Sequence, residues 1–228
     1  MISIIIPTFN EAENIAQLVN YLFRHSQNDI SEIIISDGGS ADDTIAQAAK
    51  AGALSFKSPA KGRAAQMNYG AAKAKGDILY FVHADTFPPD SYVNDINQML
   101  DKGYRLGRYR TKFDSNKGIL KLNAFFTRFD LFMCYGGDQT LFIQKELFHS
   151  IGGFDNTMGI MEDYEIITRA REKAKYAIIQ KPAIVSARKY DHRSWLTVQM
   201  ANYRIIKMYK QGASQKAMVD KYKQLLGL

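Results

Sequence analysis

Glu32-Ile33-Ile34-Ile35-Ser36-Asp37-Gly38-Gly39-Ser40-Ala41-Asp42-Asp43-Thr44 is the stretch whose reading decides the fold. Three consecutive isoleucines with no polar interruption predict a strand buried on both faces, which places it inside a parallel sheet. The strand stops at Asp37, two glycines and Ser40, and helix-starting residues follow. Open α/β sheets place their ligand crevice at the carboxyl ends of the strands, so a site is expected at this turn. An ionised Asp37 only accepts hydrogen bonds, which suits a ligand edge that offers donors, such as a uracil N–H or ribose hydroxyls. Gly38 and Gly39 would let the backbone bend closely around a flat ligand. The same residues also read as a plain turn that caps the next helix, and the stretch alone leaves both readings open.

Working outward, Ile2 to Ile6 form an apolar strand ended by Pro7, and Thr8, Phe9, Asn10 and Glu11 fill a turn. The helix after it carries Ile15, Leu18, Val19, Leu22 and Phe23 at helical spacing, giving one apolar face to lay on the sheet. On the other side, Ala41 to Gly52 read as an Ala-rich helix, and Leu54 to Ser58 as a third strand. Lys61 and Arg63 flank Gly62 where a helix through Ala74 is expected to start. Free N–H groups and the helix dipole favour an anion there, such as a diphosphate; two solvated basic residues are the bland alternative. A fourth strand, Asp77 to Val82, delivers His83-Ala84-Asp85. Asp85 offers a hard oxygen to magnesium or manganese, while His83 reads equally as a half-buried histidine bonded to backbone.

With 228 residues, 46% hydrophobic and 12% aromatic, the chain can bury one full core. The expectation is a single α/β domain over 1–193 with a helical extension, 194–228, packed on it. One cysteine, Cys134, leaves no internal disulfide and suits a reducing compartment. The opening residues lack a basic n-region and cleavage site, and no apolar run approaches the roughly 18 residues of a spanning helix. A cytoplasmic location is expected. The net charge of +7 welcomes anions. No zinc-finger spacing, helix-turn-helix pattern or basic helix with interleaved aromatics is present, so nucleic acid is not an expected partner.

Beyond the helix Tyr92 to Leu100 the strand–helix alternation fails. Tyr104 to Phe113 read as a strand, and Lys117 to Tyr135 as an aromatic segment. Core packing is the expectation for it, because large aromatics are usually inside. The alternative is a groove for a lipid-linked partner, with Lys117, Lys121 and Arg128 reaching headgroups. Gly136-Gly137-Asp138-Gln139 interrupt that segment. Thr140 to Ile143 read as a strand and Lys145 to Ser150 as a short helix. Glu162 and Asp163 open another helix, where the dipole alone accounts for carboxylates. Short strands at Ala177 to Ile179 and Ile184 to Ser186 follow. Two basic helices joined near Gly212 end the chain, with either a solvated face or contact to an anionic membrane as their reading.

Taken in order, Ile5-Ile6-Pro7-Thr8-Phe9-Asn10-Glu11, Asp37 to Thr44, Lys61-Gly62-Arg63, His83-Ala84-Asp85 and Glu162-Asp163 resemble the family 2 glycosyltransferases of GT-A fold, over about residues 2–190. They look most like the small bacterial members described as radical-SAM or selenodomain-associated transferases. Each motif alone is common; together and in this order they are specific. The resemblance implies a Rossmann-like three-layer α/β fold with a mostly parallel mixed central sheet and C-terminal helices. It also implies a nucleotide-diphosphate-sugar donor, a divalent metal (manganese or magnesium) and inversion at the anomeric carbon.

By position, the resemblance puts Pro7, Asn10, Glu11 and Ala84 at the nucleotide pocket, and Asp37 on the base, preferably a uracil. Asp85 matches the second aspartate of the family's Asp-x-Asp metal motif, and His83 stands where the first often is, a departure that bears on which metal is held. Asp163 would be the general base, because an acceptor hydroxyl is a poor nucleophile until its proton is taken. Lys61 or Arg63 would help the metal stabilise the departing diphosphate. Asp138, Glu162 and Arg188 fall on the sugar or acceptor side, and His192 reads as a surface histidine. The acceptor implied is a hydroxyl compound, lipid-linked if the aromatic segment and basic tail meet the inner face of a membrane. A sugar-phosphate nucleotidylyltransferase is disfavoured, since its first loop would be Gly-rich and basic where this chain has Pro-Thr-Phe-Asn-Glu. A non-catalytic scaffold of the same fold is disfavoured by the joint presence of Asp37, Asp85 and Asp163.

Overall fold

The computed structural model describes residues 1–136 and 139–227. Its strands are β1 Ile2–Thr8, β2 Ile30–Asp37, β3 Leu54–Lys57, β4 Ile78–Phe81, β5 Thr86–Phe87, β6 Leu106–Asp114, β7 Leu141–Gln144 and β8 Tyr176–Ser186. Its helices are α1 Ala12–Arg24, α2 Thr44–Lys50, α3 Arg63–Lys73, α4 Tyr92–Asp101, α5 Gly118–Phe126, α6 Lys145–Ser150, α7 Glu162–Arg171, α8 Trp195–Lys210 and α9 Gln215–Leu226. The strands form one mixed sheet in the order β3-β2-β1-β4-β7-β6-β8-β5. β1 to β4 pair in parallel, β7 runs antiparallel to both β4 and β6, and β8 is parallel to β6.

The isoleucine runs behave as a doubly covered sheet requires. Ile33 and Ile35 pack with Ile2, Ile4 and Ile6 against α1 and α4 on one face. Ile34 and Ile5 point the other way, into a layer built from α3, α6 and α7, which Ile205 of α8 and Met218 of α9 also join. Each such isoleucine contributes about 1.5–3 kcal/mol when fully buried. Continuous apolar sequence is stable here because neither face meets water.

Four features differ from the sequence reading. Helix α2 starts at Thr44 rather than Ala41, because the Asp42 carboxylate accepts from the Thr44 amide at 3.1 Å and uses the preceding residues in a turn. The two short strands expected at 177–179 and 184–186 are one strand, β8. Its register against β6 jumps from Tyr109↔Ile179 to Arg110↔Pro182, and Pro182 has no N–H to donate to the ladder. Strand β5 was not expected; two residues are too few to show a pattern, and only pairing with Ile184 and Val185 defines it.

The fourth is the aromatic segment, which is core only in part: Tyr135 is buried and Phe132 packs on the same cluster. Leu120 and Ala124 of α5 turn inward onto Phe113, Val185 and Val198, a patch wide enough for one helical stripe. Ile119, Leu122, Phe125, Phe126, Phe129, Leu131 and Met133 stay between 39% and 64% exposed.

Helix α3 is fixed at two points. Gln66 Nε2 donates to the carbonyls of Thr8 and Ser36 at 2.7 and 2.8 Å, tying its first turn to the ends of β1 and β2. One turn on, a Cβ on Gly70 would lie 2.5 Å from the Ile5 side chain. The substitution Gly70→Val is expected to cost about 1–3 kcal/mol of stability through overpacking, read as a lower urea midpoint.

Candidate active site

The carboxyl ends of β1 and β2 carry a tightly bonded double turn. Asp37 is fully buried. Its Oδ2 accepts from the amides of Gly39 and Ser40, both at 2.8 Å, and its Oδ1 accepts from the Thr8 hydroxyl at 3.1 Å and from the Ser40 hydroxyl. A carboxylate has about four acceptor positions, and these bonds use them. Asp37 thus shapes the crevice from within, and contact with a base requires one internal partner to move. Asn10, at a left-handed φ of 54°, accepts from the Ala41 amide at 2.9 Å and stitches the first turn to the second. Pro7 is buried within β1 opposite Ser36. Phe9, beside it in sequence, is exposed in the same turn, an aromatic the sequence reading left unassigned.

Parallel pairing with β1 puts the end of β4 beside these turns, and the β5–β8 pairing brings the end of β8 to the same place. The Ser186 amide donates to the Asp85 carbonyl at 3.1 Å, so Arg188, just past β8, arrives next to Asp85. Its guanidinium lies 3.4 Å from Asp85 Oδ2 and holds both oxygens of Glu11, one of them at 3.1 Å. The Glu11 carboxylate therefore faces Arg188. Ala84 packs its methyl into the core, so its side chain is not available to a donor. His83 is half-buried, and His192 is exposed.

A divalent ion fits this corner in one way. Among the described residues no group of three His, Cys, Asp or Glu is arranged to hold a metal. Asp85 and His83 supply an oxygen and a nitrogen, and the corner already accommodates a cation in the form of Arg188. Magnesium and manganese commonly complete such a partial set with substrate phosphates and water.

A second cluster lies at the heads of α3 and α7. Arg63 sets its guanidinium 2.6 Å from Glu162 Oε1, and Glu162 is almost wholly buried. Among the described residues Glu162 Oε2 has no hydrogen-bond partner. Burial pushes the Glu162 carboxyl above the usual carboxylate range; Arg63 opposes the shift and the neighbouring Asp163 adds to it. Lys61 is exposed, so the two basic residues of the Lys-Gly-Arg motif part company: one is paired, one faces solvent. Helix α7 begins on Met161 at a left-handed φ of 73°, a backbone state uncommon for methionine that turns the Glu162-Asp163 pair into the site.

Asp163 and Arg63 line a cavity of about 390 Å³ that runs between α5, α8 and the loop after the aromatic segment. Asn123, Gln199, Asn202 and Tyr190 face it from elements far apart in sequence. No local motif marks these residues; only the docking of α5 and α8 assembles them. Gly136 is required by contact, since a Cβ there would fall 1.7 Å from the Tyr164 ring. Asp138 lies outside the described residues.

The polar strand ends of a mixed α/β sheet and a cavity walled by Asp163 are thus the two places where this fold gathers its charged groups. The chain belongs to glycosyl transferase family 2, whose model matches residues 3–159, and is thus a glycosyltransferase. It is 31% identical over 179 residues to a glycosyltransferase of Mycobacterium tuberculosis, covering 74% of this chain and 68% of that protein. Its fold is similar to S. aureus TarS in complex with UDP-GlcNAc, with a TM-score of 0.66 at 16% identity over 81% of this chain and 58% of that one. It is also similar to glucosyl-3-phosphoglycerate synthase from Mycobacterium tuberculosis in complex with Mn2+, UDP-glucose and phosphoglyceric acid, with a TM-score of 0.67 at 16% identity, over 100% of this chain and 80% of that one.

Two outcomes follow from the charges. Because burial raises the folded-state pKa of Glu162, its stabilising contribution is complete at low pH and is lost as pH rises through that raised value. Glu162→Gln should therefore melt higher than the wild type at pH 8, and the gap should close as pH falls below the ordinary glutamate range, read by thermal melts across pH. Arg188→Ala removes a cation from Asp85 and Glu11, so manganese alone should bind about fivefold tighter by calorimetry, the scale of one part-exposed charge pair.

Proposed function

We propose that the protein is an inverting glycosyltransferase that moves a sugar from a nucleotide-diphosphate donor, preferably a UDP-sugar, to an acceptor hydroxyl. The observation that carries this reading is Asp163 at the head of α7, in the wall of a cavity whose lining includes Arg63 and no residue of the β1, β2 and β4 exits. The donor occupies the crevice and the acceptor the cavity. The UDP-sugars held by the two similar solved structures support the choice of donor.

In this mechanism the Asp163 carboxylate takes the proton of the acceptor hydroxyl as its oxygen attacks the anomeric carbon. The bond from that carbon to the diphosphate breaks, and the nucleoside diphosphate leaves with the electron pair from the opposite face, so a single displacement inverts the centre. Manganese or magnesium, held by Asp85 and His83, would supply charge neutralisation at the leaving diphosphate. Arg188 and Arg63 are the protein's own cations on either side, and Lys61 is a third at the mouth. Asp37, Asn10 and Pro7 hold the turn that receives the base.

The acceptor is proposed to be lipid-linked, presented at the inner face of a membrane. Among the described residues no helix is long and apolar enough to cross a bilayer; the contact proposed is peripheral. Residues 1–193 are proposed as the catalytic domain and 194–228 as an extension that closes the acceptor side. The His-Ala-Asp form of the metal motif supports a place near the small radical-SAM or selenodomain-associated members.

Asp163→Asn is expected to abolish transfer while leaving UDP affinity within about twofold, since only proton removal is lost. Transfer at the wild-type rate by that variant would remove Asp163 from the base role.

A further inference from the structure

Between 119 and 133 the chain presents seven large apolar side chains to solvent. Three of them, Leu122, Phe125 and Phe126, lie on the face of α5 opposite its buried Leu120 and Ala124 stripe, and Phe129 follows in the turn that ends the helix. The rings form a contiguous surface: Phe125 lies 5.8 Å from Phe126 and 5.7 Å from Phe129, centre to centre. Arg128 stacks on it with its guanidinium 4.1 Å from the Phe125 ring.

This surface is tied to the sheet by hydrogen bonds. Arg108 is fully buried, and its guanidinium donates to the carbonyls of Thr127 at 2.7 Å and Phe129 at 3.3 Å. The Thr127 hydroxyl accepts from the Thr111 amide at 2.9 Å and donates to the Ala124 carbonyl at 2.7 Å. A buried cation and a buried hydroxyl thus clamp the end of α5 to β6, and the phenylalanines point away from that clamp.

We infer that the outer face of residues 119–133 docks on an anionic lipid bilayer, with the phenylalanine rings in the acyl–headgroup boundary and Lys121 and Arg128 on headgroup phosphates. The inference deepens the reading of the 390 Å³ cavity as the acceptor site, and rests on it only for its purpose. Charge selects the occupant. The chain carries a net +7, and Lys121 and Arg128 border the rings, so a second copy docking face to face would bring like charges together, whereas an anionic surface pairs with them. Position agrees: Met133, the most exposed of the seven, lines the same cavity as Asp163. A bilayer on this face would lie at the cavity's rim, where an acceptor anchored by a lipid chain can deliver its hydroxyl without leaving the membrane.

The test is vesicle flotation of the purified full chain with phosphatidylcholine vesicles, with and without phosphatidylglycerol, at low and high salt. The wild type is expected to float with the anionic vesicles, less so at high salt. Phe126→Ser with Phe129→Ser should weaken partitioning by about tenfold or more. Lys121→Glu with Arg128→Glu should weaken it and remove the salt dependence. Both double variants should keep the wild-type melting temperature and UDP affinity. No flotation of the wild type at low salt overturns the inference, as does equal flotation of the phenylalanine variant. A dimer that becomes a monomer in that variant, without vesicle binding, also overturns it and assigns the face to a second copy. Because flotation needs neither donor nor turnover, a failure of the proposed transfer reaction would leave this result separately readable.

Discussion

Strand β1 has neither a free edge nor an open face. It is hydrogen-bonded to β2 on one side and β4 on the other, and Ile2, Ile4, Ile5 and Ile6 are wholly buried between the two helical layers. Parallel strands must all return to the same end before starting again, so the polar exits of β1, β2 and β4 gather at one edge. Thr8, Asp37 and the His83 to Asp85 loop meet there for that reason. The hydrogen bonds from Gln66 to the last carbonyls of β1 and β2 then bring the head of α3, and Arg63 with it, to the same edge.

The electrostatics of the site come from matching carboxylates on early elements with cations from distant ones. Arg188 reaches back across 177 positions to Glu11, and Arg63 crosses to Glu162. The two pairs differ in cost. Arg188 is half-exposed, so its pairing is screened and can exchange for another cation at small expense. Glu162 is almost wholly buried with one oxygen unbonded among the described residues, an arrangement that disfavours its charge and is stable only because Arg63 and the surrounding fold hold it.

Arg108 illustrates a different solution. Its terminal guanidinium nitrogens donate to the main-chain carbonyls of Tyr109, Thr127 and Phe129, so its burial organises backbone at the junction of β6 and the end of α5. One consequence is local: the aromatic segment, whose composition suggests interior, is fastened by its polar atoms and leaves its rings outside. Hydrophobicity in the sequence reports what a side chain would gain by burial, but not whether the fold offers it a place.

The doubly covered parallel strands, the turns at their carboxyl ends and the chemical types gathered there were legible in the residues alone. These are local properties: unbroken isoleucine runs, glycines at turns, and a carboxylate or base just after each strand. The family resemblance was legible for the same reason, since its motifs sit in those turns. Packing between distant elements set the rest: Asp37 is turned inward, Ala84 faces the core, Arg188 sits between Glu11 and Asp85, and Asn123, Gln199 and Asn202 share a cavity with Asp163. Each depends on which distant element packs against the residue, a two-body fact set by the antiparallel insertion of β7, the short β5–β8 pairing and the docking of α5 and α8. Local sequence cannot carry that information, because the free energy deciding it belongs to the contact and not to either partner alone.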